Sequence, residues 1–113
     1  MKRGEIWIIN LDPTIGAEIR KTRPVVIVSS DDIGTLPLKV VAPITDWKAH
    51  YSEVPWMTEI SPNIQNGLEK PSSCDAFQVR SVSVERFIRR LGKLDVQTMK
   101  AIVIALAEVL NIE

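Results

Sequence analysis

Gly16-Ala17-Glu18-Ile19-Arg20-Lys21-Thr22-Arg23-Pro24-Val25-Val26-Ile27-Val28 is the stretch from which the fold of this chain can be read. Its last four residues are β-branched, so their stiff side chains favour an extended chain buried on both faces. Arg23 is the last polar residue before that run. Pro24 holds Arg23 in the β or polyproline region and marks a strand entrance. The nine residues before Val25 therefore form a loop with a basic tip that leads into a sheet, with Glu18 and Arg23 on either side of the tip. A guanidinium placed rigidly there matches an oxyanion or a phosphate, because its planar fork of donors fits those groups. Taken alone, the same residues also fit a surface arginine paired with Glu18.

The rest of the chain sets the bounds. With 113 residues it predicts one domain, residues 1–113, and one hydrophobic core. Lys plus Arg and Asp plus Glu are 14 each, so no overall basic field points to nucleic acid, and any RNA contact must rest on a local patch such as Arg20, Lys21, Arg23, Lys48 and Arg80. The single cysteine, Cys74, excludes an internal disulfide and fits a reducing cytoplasm, where it reads as a small core residue. One His and one Cys argue against a metal site, and no cofactor is expected. The apolar runs fall short of the ~20 residues of a membrane span, and Met1-Lys2-Arg3-Gly4 leads straight into a strand with no signal peptide.

Working outward, a first strand is expected over residues 5–11, followed by a turn at Asp12, Pro13 and Gly16. The second strand covers residues 23–30, and the third covers residues 38–45, closing at Thr45. Residues 46–51 form a polar loop, in which Trp47, His50 and Tyr51 offer platforms for unpaired bases at ~1 to 3 kcal/mol each, or Trp47 folds back on the core. His50, the only histidine, is the natural suspect for general acid or base work. Further strands are expected over residues 53–60, 73–80 and 86–94, with turns at Asn66-Gly67 and over residues 81–85. Gly92 suggests a bulge or a close backbone approach. Asp95 has the chemistry of an N-cap for a helix over residues 96–110, and Met99, Ile102, Val103, Leu106, Val109 and Leu110 give that helix one broad apolar face, read as core packing. The fold class is mainly β (α+β): a strongly curved, mostly antiparallel sheet with one C-terminal helix.

Several short motifs, in this order and spacing, resemble the MazF/PemK family of toxin endoribonucleases. They are Lys2-Arg3-Gly4-Glu5-Ile6-Trp7; Asp12-Pro13-Thr14; Gly16, Glu18, Arg23 and Pro24; Ala42-Pro43-Ile44-Thr45; Asn66-Gly67-Leu68; Gln78-Val79-Arg80; and Leu91-Gly92-Lys93-Leu94. The resemblance implies an SH3-like barrel of the PemK/CcdB type and a metal-independent cut of single-stranded RNA. In that reaction the neighbouring 2′-hydroxyl attacks the phosphate and leaves a 2′,3′-cyclic phosphate. It also implies a cytoplasmic homodimer neutralised by a MazE-like antitoxin, with no membrane association. Arg23 matches the family's catalytic arginine, Thr45 its catalytic threonine and Glu18 its acidic position. Gln78 and Arg80 match a segment lining the RNA groove, and Arg20, Lys21, Trp47, Lys48 and His50 are taken as substrate contacts. Family members often carry Ser where this chain has Ala17 and Gln where it has Ile19, so the RNA motif does not transfer. Two other classes are weighed: a CcdB-like toxin acting on DNA gyrase, which has no need of the Arg23 and Thr45 pair, and a non-enzymatic SH3-like binding module, which would display more aromatic residues than this chain has.

Overall fold

The computed structural model describes residues 1–113. Its strands are β1 (Glu5–Asn10), β2 (Thr22–Ile27), β3 (Leu38–Asp46), β4 (Met57–Ile60), β5 (Ser72–Asp75), β6 (Arg80–Ser83) and β7 (Phe87–Lys93), followed by one helix, α1 (Val96–Leu110). All the pairings are antiparallel, in the order β4-β5-β3-β2-β1-β7, with β6 added alongside β3. The path ends at β4 and β7 without joining them, so the barrel is an unclosed, curved sheet.

Both faces of the central strands are covered. Alternation along β2 sends Val26 to one side and Val25 and Ile27 to the other. Val26 joins Ile6, Ala42, Ile44, Ile60, Cys74, Met99 and Ile102 in a core beneath α1. Val25 and Ile27 join Ile9, Leu11, Val41 and Val82 in a second cluster, against which Trp7, Ile19 and Phe87 pack. The apolar run in β2 is thus explained by burial on both sides, as its composition predicts. Asp95 caps α1 by accepting the Thr98 N–H at 2.7 Å, and Asn111, in the left-handed region at φ 55°, ends it. Met99, Ile102 and Ala105 are buried, whereas Val103, Ile104 and Leu110 remain exposed, so the apolar surface of the helix extends beyond what the sheet covers.

The strand expected over residues 73–80 is two strands. The Asp75 carboxylate accepts the Phe77 N–H at 3.0 Å and draws Ala76–Gln78 into a 3-10 turn, a local hydrogen bond that displaces the ladder. As a result β5 pairs with residues 44–46 of β3 and β6 with residues 38–41, end to end along one edge. Much of the expected 81–85 turn is therefore β6, with a second 3-10 turn at Val84–Arg86. Residues 49–53 of the expected polar loop and strand form a third, which leaves β4 shorter than anticipated.

Gly67 and Gly92 let the 61–70 loop lie directly on β7. A Cβ on Gly67, which sits at φ +70°, would overlap the Leu91 carbonyl oxygen, and one on Gly92 would overlap that of Gln65. Buried Asn66 pins the same loop, accepting from the Asn63 and Leu68 N–H groups and donating to the Ser61 carbonyl.

Candidate active site

The register that sets Val25 opposite Pro43 brings Arg23 level with Thr45, two residues further along each strand. By alternation both belong to the face of Val25, Val41 and Pro43. Both also line a cleft of about 280 Å³, together with Ile8, Thr22, Lys70, Ser72 and Arg89. A second cavity of about 500 Å³ lies on the Pro43 face, bounded by Ala17, Glu18, Phe77, Gln78 and Arg80. Arg23 and Thr45 line the first of these and not the second.

The loop of residues 11–21 is tied down at its foot. The Leu11 N–H donates to the Lys21 carbonyl at 3.0 Å, and the Lys21 N–H donates to Asp12 Oδ1 at 3.0 Å. Arg86 clamps the preceding turn through the carbonyls of Asn10, at 3.0 Å, and Asp12, at 2.6 Å. Lys21 has φ 72°, a conformation costly for a residue with a Cβ, and the hydrogen bond to Asp12 helps hold it there. At the middle of the loop, Gln78 Oε1 accepts the Ile19 N–H at 2.6 Å and its Nε2 donates to the Ala17 carbonyl at 3.4 Å. Both polar ends of Gln78 are thus engaged in holding the loop that carries Glu18.

Glu18 and Arg23 do not form an ion pair. Glu18 Oε1 accepts the Ile15 N–H at 2.6 Å, and Arg23 Nε donates to the Arg20 carbonyl at 3.1 Å. Arg23 is half-buried, and no carboxylate lies within 4.0 Å of it. A guanidinium fixed through one N–H and free of a counter-ion is arranged to receive an anion.

The structure does not gather every residue singled out from the sequence. Arg80 lines the larger cavity, with Nη1 3.5 Å from the Leu11 carbonyl. Arg20 donates to the Gly16 carbonyl at 3.2 Å, and Lys21 is exposed at the loop foot; neither lines a cavity. Trp47, Lys48 and His50 lie outside both cavities as well. Trp47 and His50 each meet Tyr51 edge to face, with centroids 5.9 and 4.7 Å apart, so that segment packs on itself. Conversely, sequence reasoning missed Lys70 and Arg89. The Arg89-Arg90 pair carried a usable signal, because adjacent residues in a strand project to opposite faces and only one of two arginines can meet a given partner.

Two buried groups lie behind the site. Burial pushes the Cys74 thiol well above its ordinary range, and the neighbouring Asp75 carboxylate pushes it further, so this cysteine is an inert core residue. Burial also raises Asp75, against the lowering effect of hydrogen bonds from Phe77 and Gln78. No three His, Cys, Asp or Glu side chains come together as a metal site, and no helix is long and apolar enough to cross a membrane.

Comparison with known proteins follows the same lines. A family model described as PemK-like, MazF-like toxin of type II toxin-antitoxin system matches residues 2–110. Endoribonuclease MazF9 of Mycobacterium tuberculosis is 33% identical over 101 residues, covering 83% of this chain and 82% of that protein. Endoribonuclease EndoA of Bacillus subtilis is 30% identical over 101 residues, covering 88% and 84%. Among solved structures, MazF from Deinococcus radiodurans superposes with a TM-score of 0.83 at 19% identity, covering 99% of this chain and 97% of that one. A mycobacterial endoribonuclease in complex with its cognate antitoxin superposes with a TM-score of 0.79 at 19% identity, covering 100% and 97%. At that identity the two structures support the fold.

Proposed function

The chain belongs to the PemK-like, MazF-like toxins of type II toxin-antitoxin systems, and from that premise we propose that it is an endoribonuclease cutting single-stranded RNA, chiefly messenger RNA, at specific sequences. The observation that carries this reading is the placement of Arg23, free of any carboxylate, level with Thr45 on adjacent strands that line one cleft.

In the proposed reaction the 2′-oxygen of the nucleotide before the cut attacks the adjacent phosphorus. The bond to the 5′-oxygen breaks as that oxygen takes up a proton from water, leaving a 2′,3′-cyclic phosphate and a 5′-hydroxyl, and the nucleophile comes from the substrate, so the step needs no metal-bound water. Arg23 offsets the negative charge that builds on the phosphorane, and the Thr45 hydroxyl donates to a phosphate oxygen. A guanidinium is permanently charged, so its role is electrostatic. Glu18 is the candidate for removing the 2′ proton, since its Oε2 makes no hydrogen bond and it lines the 500 Å³ cavity on the Pro43 face. Arg80 contacts the strand in that cavity. Arg20, Lys21 and Lys48 are assigned to more distant phosphates, and Trp47 and His50 to unpaired bases.

The toxin is further proposed to act in the cytoplasm as a homodimer. The exposed Val103, Ile104 and Leu110 of α1 provide apolar surface for a second copy. Neutralisation by a MazE-like antitoxin is proposed to use an acidic segment that competes with RNA phosphate for the cleft. The test is cleavage of a long mixed-sequence RNA in EDTA by wild type, Arg23→Ala and Thr45→Ala, with fragment ends mapped. Site-specific cuts ending in cyclic phosphate, lost in both variants while they remain folded, are expected. Equal cutting by the variants, or none by a folded wild type, overturns the reading.

A further inference from the structure

Phe77 is the one Phe, Trp or Tyr side chain that the fold leaves exposed, at 61%. It is also the only aromatic residue that lines a cavity, the 500 Å³ one on the Pro43 face. Its position is fixed twice. The Asp75 carboxylate holds its N–H in the Ala76–Gln78 turn, and Trp56 meets its ring edge to face, with centroids 5.3 Å apart. The ring is thus set in place before any ligand arrives, although leaving it in water forgoes the stabilisation that burial would give.

The surroundings of the ring define what it can accept. Leu11, Ile19, Pro43 and Val79 make much of the cavity apolar, and its two charged side chains, Glu18 and Arg80, are of opposite sign. Such a lining suits a flat, neutral group with polar edges better than a phosphate. Gln78, which also lines it, holds the backbone of Ala17 and Ile19 through both ends of its amide and so keeps the walls in place. Arg80 has no carboxylate within 4.0 Å, so its guanidinium retains donors for the edge of a ring. Pro43 lies two residues from Thr45 along β3, about 7 Å, which brings the cavity and the reacting groups within reach of one RNA strand. An unpaired base has the required shape, and every base presents a face that stacks on an aromatic ring.

We propose that this cavity seats an unpaired base of the RNA, stacked on Phe77, and that Phe77 serves binding and not the bond-breaking step. This rests on the RNA-cleavage reading above and adds to it a base-binding site beside the reacting groups.

Two assays test it. One is fluorescence anisotropy of a labelled, mixed-sequence, single-stranded DNA oligonucleotide, which lacks the 2′-hydroxyl and cannot be cut by this route; the other is steady-state cleavage of a single-stranded RNA. The variants are Phe77→Ala, Phe77→Leu, Phe77→Tyr and, as a control, Ile88→Ala, at an exposed position of β7 that lines no cavity. Phe77→Ala is expected to weaken oligonucleotide binding about tenfold, as for loss of one stacked base, and to raise KM for RNA by a similar factor with kcat little changed. Phe77→Tyr and Ile88→Ala should bind as wild type does. Phe77→Leu, which keeps apolar bulk without the aromatic face, should bind as weakly as Phe77→Ala. Wild-type binding by Phe77→Ala, equal binding by the leucine and tyrosine variants, or a fall confined to kcat overturns the proposal. Absence of cutting by wild type counts against the cleavage reading instead, and the anisotropy series then decides the base site alone; absence of oligonucleotide binding by wild type overturns it.

Discussion

Replacing Gly92 by alanine tests how the 61–70 loop is seated on β7. The new Cβ would overlap the Gln65 carbonyl oxygen and stand 2.6 Å from the Asn66 carbonyl carbon, against an ordinary contact of 3.4 to 4 Å. These are backbone atoms, and Asn66 is held from several sides, so the loop must shift by most of an ångström. Overpacking of this kind costs ~1 to 3 kcal/mol. The shift also strains the 2.8 Å hydrogen bond from the Lys93 N–H to the Gln65 carbonyl, whose loss adds ~1 kcal/mol. Taking ~3 kcal/mol in all, and ~2.1 cal/mol/K per residue for the unfolding entropy, Tm falls by about 13 °C. The wall of the cleft that carries Lys70 moves with the loop, so KM for RNA should rise as well. Gly34→Ala is the control: its φ is +90° but nothing lies within 4 Å of a Cβ there, so only backbone strain of ~1 kcal/mol remains, worth about 4 °C. Differential scanning calorimetry of the two variants decides the matter. A Gly92→Ala protein that melts no lower than Gly34→Ala would refute the close seating of the loop.

Other consequences can be checked separately. Gln78→Ala removes the clamp on the loop bearing Glu18, worth ~1 kcal/mol, and should lower kcat/KM about fivefold with little change in Tm; Gln78→Glu, which keeps the acceptor for Ile19, should recover part of the loss, and unchanged cleavage in the alanine variant would contradict the clamp. Cys74 should resist iodoacetamide in the folded protein and react once it is unfolded by guanidinium, as mass spectrometry of the labelled chain would record. Asp75 has its carboxyl raised by burial, so its contribution favours folding at low pH and is lost as pH rises through its folded value. Asp75→Asn, which keeps an acceptor for the Phe77 N–H, should therefore melt above wild type at pH 7. That gap should close as pH falls through the ordinary aspartate range near 3.8; a gap that widens on acidification contradicts the assignment.

Local signals in the sequence determined the elements that neighbours along the chain can decide. Four β-branched residues after Pro24 specify a buried strand entrance, Asp95 followed by helical spacing specifies the last helix, and a lone cysteine among apolar residues specifies a core position. The order of short motifs also carried the family, and with it Arg23 and Thr45 as the residues to examine. Tertiary structure alone decided which side chains meet. The split between β5 and β6 depends on a carboxylate hydrogen bond that outcompetes strand propensity. Gln78 reaches a loop 59 to 61 residues away, and Glu18 and Arg23, five residues apart, turn to different partners. Arg90 pairs with Glu5 and Arg89 does not, because the β1 and β7 register sets which arginine meets which neighbour. Strand propensity and capping act over a few residues, whereas register and hydrogen-bond partners depend on where distant segments return, and it is these that assemble the site.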